Sequence, residues 1–521
     1  MKNIFYFFSI LIFISLSSCK KLLDTKPTDF LSPVTYYESE VQLNFALAGV
    51  YDILGSAPIY GTHYISRFGM EADEGCFSPS TVITGPQVYN YTASDPNIEN
   101  FWKNLYVGIN RANVLLANVD KNVEINENVR NQMRGEALFL RAYYYFLLVQ
   151  NFGGVPLMLQ PTKSAFGNEI PKSTIKEVYE VILSDMETAE SLVPSIKTLG
   201  FGGRISKSAV RGILARVCLY MAGYPLLDKS KYEAARAWAK KVIDDTEVGH
   251  TLNPDYKQVF INYAQDKYDI KESIWEVEFW GSSGVYRETG QVGAWIGITS
   301  TNADIGVASG FVNTTAKLYN AYESTDVRRD WAISNFTYTA AGAKTFLADP
   351  PLVASLYTRK VGKYRREYEL VTPKSNNATP INWPILRFSD VLLMYAEADF
   401  ELNGSPTVGS DALNYINLVR ARANATTFNA SNRITDPNEF KEFIIEERSR
   451  ELCFEALRKP DLIRWGIIDF IMTDMKNRMA QDIPNQHYSL AFRNYIPKYK
   501  ILPIPTQEII LNKFLVQNQG W

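Results

Sequence analysis

Histidine and cysteine are scarce, and the scarcity removes several chemistries. Only three histidines occur, His63, His250 and His487, and they lie far apart. A zinc site built on histidine needs closely spaced ligands, so no metal is expected, and no other cofactor is called for. The four cysteines, Cys19, Cys76, Cys218 and Cys453, show no CxxC spacing and outline no disulfide framework. Cys218 and Cys453 sit in apolar helical patterns and read as small buried hydrophobes. An excess of charge is missing too. With 54 Lys+Arg against 56 Asp+Glu, the net charge is −2 and no basic tract is present, which gives nucleic acid no electrostatic footing. There is no GxSxG elbow, Walker loop or HExxH.

What the chain has in quantity is aromatic residues, 31 Tyr, 28 Phe and 9 Trp in 521 residues. Many fall in stretches without helical periodicity, where a flat ring is placed to stack on a ligand. Residues 1–18 form a targeting segment, with Lys2 ahead of an apolar run too short to span a bilayer. It ends Leu16-Ser17-Ser18-Cys19, small residues before a cysteine, as in the bacterial lipobox. Cys19 is therefore expected to be the lipidated first residue of the mature protein, and no later stretch is long and apolar enough to span a membrane. Several acyl chains on one residue anchor a protein stably.

The rest of the chain is organised around residues 134–150, Arg134-Gly135-Glu136-Ala137 onward through Arg141-Ala142-Tyr143-Tyr144-Tyr145-Phe146. This helix is apolar nearly all round, so it should be buried on most sides. Gly153-Gly154 ends it and Pro156 forces extended chain. Arg134, Glu136 and Arg141 lie within it and need partners, since an unpaired buried charge is costly. Further helices are expected over 36–54, 97–119, 175–192, 206–223, 232–245, 389–402, 411–423 and 437–457, with Ser173 and Ser206 as N-caps. Small-then-large spacings recur at Ala142/Phe146, Ala215/Leu219 and Ala396/Phe400, which suggests tetratricopeptide-like hairpins. The 232–245 helix lacks an immediate partner and pairs with 389–402. The intervening stretch is then an insertion on a helical scaffold, and residues 273–279 alternate like a strand. The fold class is mainly α, a helical-hairpin scaffold with a long irregular, partly β insertion.

Five motifs follow one another along the whole chain: Cys19-Lys20-Lys21-Leu22-Leu23-Asp24; Arg134-Gly135-Glu136-Ala137 through Phe152-Gly153-Gly154-Val155-Pro156; Leu386-Arg387-Phe388-Ser389-Asp390 through Ala398; Glu447-Arg448-Ser449-Arg450-Glu451-Leu452-Cys453-Phe454-Glu455; and Leu502-Pro503-Ile504-Pro505 through Trp521. Together, in this order, they resemble the SusD/RagB family of Bacteroidetes surface lipoproteins. Ala456 departs from the pattern, standing where the family often has Gly. The resemblance implies a signal peptide over 1–18, an N-terminal helical region over 19–260 and a C-terminal region over 261–521 that carries the ligand loops. It implies a non-catalytic outer-membrane lipoprotein that binds oligosaccharide, or sometimes peptide, and serves a SusC-like TonB-dependent barrel transporter.

The ligand platform is expected where residues 55–95 meet residues 280–302, because both combine aromatics with polar side chains. Trp280 and Trp295 are the leading stacking residues, Tyr286 the third, and Arg67, Asp73 and Asn302 the hydrogen-bonding partners. Arg287 is a further polar candidate. A lipid-anchored glycosidase is the rival reading, with Glu447 and Glu451 as its two carboxylates. Glu446 and Glu447 stand at helical ion-pair spacings from Arg450, which points instead to a structural network.

Overall fold

A computed structural model describes residues 36–164, 167, 169–280, 290–376 and 378–521. The leader, Cys19, Tyr286 and Arg287 lie outside the described residues. Helix α1 (Glu40–Gly55) starts at a Ser39 cap. Helix α2 (Pro96–Asn118) starts at Asp95 with proline in its first turn, where no N–H is missed. Helix α3 (Glu127–Phe152) is the long hub. Helix α4 (Ile175–Leu192) opens on a capping box between Thr174 and Glu177, so the cap is Thr174 rather than Ser173. Helix α5 (Lys207–Ala222) is capped by Ser206, as the sequence suggests, and α6 (Lys231–Ile243) follows. The scaffold resumes far downstream with α7 (Phe388–Asn403), α8 (Asp411–Arg422) and α9 (Pro437–Leu452).

The helices pack in sequence order, α1 on α2, α2 on α3, and so on to α5 on α6. Helix α6 then packs on α7 and α7 on α8, so the pair split by the insertion does come together. The hub is buried over most of its length; Tyr143, Tyr144 and Tyr145 are all inaccessible. Its exit needs glycine twice. Gly153 has φ +72°, and a Cβ on Gly154 would fall 2.3 Å from the Ser173 carbonyl.

The three hub charges that the sequence marks as needing partners each have one. Arg141 grips Asp185 through two 2.8 Å bonds. Glu136 accepts from Arg204 at 2.7 and 3.0 Å and from the Tyr51 hydroxyl at 2.5 Å. Arg134 reaches Asp120.

Strand β1 (Gly75–Phe77) precedes the scaffold's main body, and β2 (Ser273–Val277), β3 (Val312–Thr314) and β4 (Trp383–Arg387) follow it. β2 pairs antiparallel with β4, with Val277 opposite Trp383 and Ser273 opposite Arg387. The residues between them leave the scaffold and return to it side by side. β1 pairs antiparallel with β3, which fastens the 55–95 stretch to the insertion. No described helix is long and apolar enough to cross a membrane.

Candidate functional site

The two expected ligand stretches do meet. The Gln291 N–H donates to the Gly61 carbonyl at 3.0 Å, Thr62 donates to the Gln291 side chain at 2.8 Å, and the backbone of Gly55 lies against Phe279. Between residues 59 and 77 every side chain is buried except His63 and Arg67. These two are four apart on the π-helical turn Tyr64–Phe68 and the residue before it, so they share a face. That face looks at Trp295, itself half-buried. The Arg67 guanidinium lies 5.4 Å from the Trp295 ring centre, the His63 ring 6.3 Å away, and Phe311 meets Trp295 edge-on at 5.0 Å. Burial and the neighbouring Arg67 push the His63 imidazole down to about 4, so it is neutral at neutral pH.

Trp280 sits elsewhere along the same edge. It is 56% exposed and lines a cavity of about 650 Å³ between α1 and the end of β2. The floor is Leu47, Leu54, Val277 and Phe279. The rim is aromatic, with Phe45, Phe201 and Trp280, and the polar groups Asn44, Asp52, Arg204 and Glu278 stand among the rings. Phe45 is 64% exposed on α1, a costly position for a large ring unless something covers it. The sequence reading found Trp280 but missed Phe45 and Phe201, because Phe45 falls in the helical spacing of α1 and passes for core there.

Three expected site residues are otherwise engaged. Asp73 is not a ligand group. It is 2% exposed and bonds Arg458 through both oxygens at 2.7 Å, with Lys317 at 2.7 Å. Burial would raise its carboxyl, but Arg458 and Lys317 hold it well below the usual range. Its neighbour Glu71 likewise meets Lys459 at 2.6 Å. Asn302 is taken up by its own turn, accepting from the Asp304 and Ile305 amides at 3.0 Å and donating to the Ala340 carbonyl at 3.2 Å. Trp295 is partly a packing residue, as its contacts with Phe311 and His63 show.

The carboxylates of the glycosidase reading are sealed in the core. Glu447 and Glu451 are fully inaccessible. Glu447 meets Arg328 and Arg420 at 2.8 Å and Arg450 at 2.9 Å. Glu451 meets Arg422 at 2.6 Å, Arg387 at 2.9 Å and Arg328 at 3.1 Å. Burial alone would raise both carboxyls, but the arginines overcome it. Glu447 is held at about 2 and Glu451 well below its ordinary value. Neither has a proton to give at neutral pH or a path to a substrate.

Comparison with known proteins places the whole chain. Residues 271–521 match the model of the SusD family, and residues 21–219 match a model described as starch-binding associating with outer membrane. SusD-like protein P25 of Formosa agariphila is 26% identical over 550 residues, covering 98% of this chain and 97% of its own. Starch-binding protein SusD of Bacteroides thetaiotaomicron is 24% identical over 439 residues, covering 75% of this chain and 73% of its own. The crystal structure of a SusD homolog from Bacteroides thetaiotaomicron superposes with a TM-score of 0.87 at 27% identity, covering 94% of this chain and 98% of that one. A laminarin binding SusD-like protein shares the fold, with a TM-score of 0.73 at 24% identity over 93% of this chain and 100% of that one.

Proposed function

The chain belongs to the SusD family, and from that premise we propose that it is a non-catalytic surface lipoprotein that binds oligosaccharide and hands it to a TonB-dependent outer-membrane barrel. The observation that carries the binding half is the aromatic-rimmed cavity at Trp280, with polar side chains set among its rings. Sugar rings have apolar C–H faces that lie flat on aromatic planes, while their hydroxyls need donors and acceptors around the rim. The cavity offers both. The relatives' names support the ligand class, one being starch-binding and another laminarin-binding.

A ring stacked on a ligand contributes on the order of 1–3 kcal/mol, by analogy with stacking on nucleobases. Trp280→Ala should therefore weaken binding of the best oligosaccharide in a titration panel by roughly tenfold or more. Because Trp280 is 56% exposed, the melting temperature should stay put. Undiminished affinity in the variant would place the site away from this cavity.

The transport half rests on the Leu16-Ser17-Ser18-Cys19 sequence and on the family. Cys19→Ser should leave a protein that no longer fractionates with membranes, while the native lipoprotein, extracted in mild detergent, should bring a large barrel protein with it. Persistent membrane association of the variant, or repeated recovery of the native protein alone, overturns this half.

A further inference from the structure

We propose that the seam between residues 55–69 and the insertion takes the negatively charged substituent of the ligand, a carboxylate or sulfate on the sugar, on the Arg67 guanidinium beside Trp295. The inference rests on the glycan-capture reading above and gives it a substrate class.

Arg67 is the anomaly that carries it. Buried arginines in this fold are met by carboxylates, as Arg141, Arg328, Arg387 and Arg458 are. Arg359 and Arg365 meet none, yet both donate to backbone carbonyls. Arg67 does neither. Among the described residues it has no ion-pair partner and donates no hydrogen bond, and its Nε is buried without an acceptor. Among the described residues, the group its guanidinium lies over is the Trp295 ring, and the nearest acid, Asp95, acts on it only from a distance. A buried guanidinium Nε–H without an acceptor is a costly arrangement, and burial accordingly weakens the group's hold on its proton.

The surroundings match an anion. His63 carries no positive charge at neutral pH, so Arg67 is free of a cationic competitor on its own face. Asp95 acts on it only through space; its carboxylate accepts from the Asn97 backbone and side chain at the start of α2. A second cation that bonds no carboxylate among the described residues, Lys360, lies at Gly310, the residue before Phe311. It donates to Ser78, to the Gly310 carbonyl and to Asn313. Among the described residues, neither Arg67 nor Lys360 bonds a carboxylate. A planar fork matches a carboxylate or sulfate with two parallel bonds, and Lys cannot copy that geometry. The Trp280 cavity differs, since Asp52 and Glu278 are among its polar groups and disfavour an anion there.

The test is calorimetric titration of the full protein with three probes: oligogalacturonate, a sulfated galactan oligosaccharide and a neutral β-glucan oligosaccharide. One acidic probe should bind on the order of tenfold tighter than the neutral one, with a preference that shrinks in high salt. Arg67→Gln should abolish that preference, Arg67→Lys should restore part of it, and the melting temperature should move little, since Arg67 has no hydrogen bond or ion pair to lose among the described residues and gives up only its contact with the Trp295 ring. Equal binding of acidic and neutral probes, or a preference that survives Arg67→Gln, overturns the inference and leaves glycan capture standing. The opposite failure is also readable. If no oligosaccharide binds, but free galacturonate or inorganic sulfate changes tryptophan fluorescence in the wild type and not in Arg67→Gln or Trp295→Phe, the anion site stands and glycan capture falls. Silence with every probe overturns both.

Discussion

Glu451→Gln should be the most destabilising single change in the protein, on the order of 3–5 kcal/mol, because it leaves arginines buried against a neutral amide. Glu451 holds Arg387, Arg422 and Arg328 at once, and these come from β4, α8 and the insertion. Removing its charge loosens the joint where the insertion is bolted to α9. The urea midpoint should fall steeply. Glu446→Gln, one turn earlier, is the control: Glu446 is 55% exposed and pairs only with Arg450, so its loss should cost less than about 1 kcal/mol. An unfolding midpoint unmoved by Glu451→Gln would mean that the network does not hold the fold. Loss of a glycan-cleaving activity without loss of stability would revive the glycosidase reading.

The second large effect is a stability maximum on the acid side, near about pH 5. Two buried carboxyls, Glu74 and Glu276, are pushed up to about 7, chiefly by burial. Glu276 accepts from Ser273 at 2.5 Å and Asn382 at 3.0 Å and among the described residues meets no cation; Glu278 and Asp266 nearby add to the rise. A raised carboxyl keeps its proton in the folded protein after the unfolded chain has lost it. Stability therefore falls as pH climbs from about 4.5 to about 7, by up to about 3 kcal/mol for each group. Glu447 works the other way. Its carboxyl is held at about 2, so its contribution is complete above about 4.5 and is lost as pH falls toward 2. Glu276→Gln mimics the protonated acid. It should raise the melting temperature near pH 8 and leave it unchanged near pH 5, read by calorimetry at both. A variant destabilised at both would show that the ionised group is the form the fold prefers.

The helical scaffold was legible because its signals are local. Ser206 caps α5, Gly153-Gly154 ends α3, and the lone 232–245 helix asked for a distant partner that α7 supplies. The strand at 273–277 showed its alternation, but its partner did not. Trp383–Arg387 contains Pro384 and is buried on both faces, so no period of two marks it. Asp73 failed for a related reason: its partner Arg458 is 385 residues away, and composition around Asp73 gives no sign of it. Trp280 and Trp331 look alike in sequence, yet Trp331 is buried under Arg365 at 3.8 Å. Exposure depends on what folds over a residue, and neighbours in the chain do not reveal it. The departure at Ala456 had a local consequence that the sequence could place. Ala456 takes φ +58°, a left-handed conformation that costs a residue with a Cβ about 1–2 kcal/mol and that glycine adopts freely.

The β2–β4 pairing makes the insertion exchangeable. Its first and last residues are fixed opposite each other at Val277 and Trp383, so the closure entropy of whatever lies between grows only as about the logarithm of its length. Loops of the insertion can lengthen, shorten or be swapped without re-registering the helices beneath. Ion pairs that leave the insertion limit the exchange. Arg328 and Lys363 reach out of it to Glu447 and Glu455, Lys317 to Asp73 and Glu323 to Arg420, and a replacement that omits them takes one partner from each of these groups. A chimera builder would cut at Val277 and Trp383 and carry those side chains across, replacing the insertion while the frame stays the same.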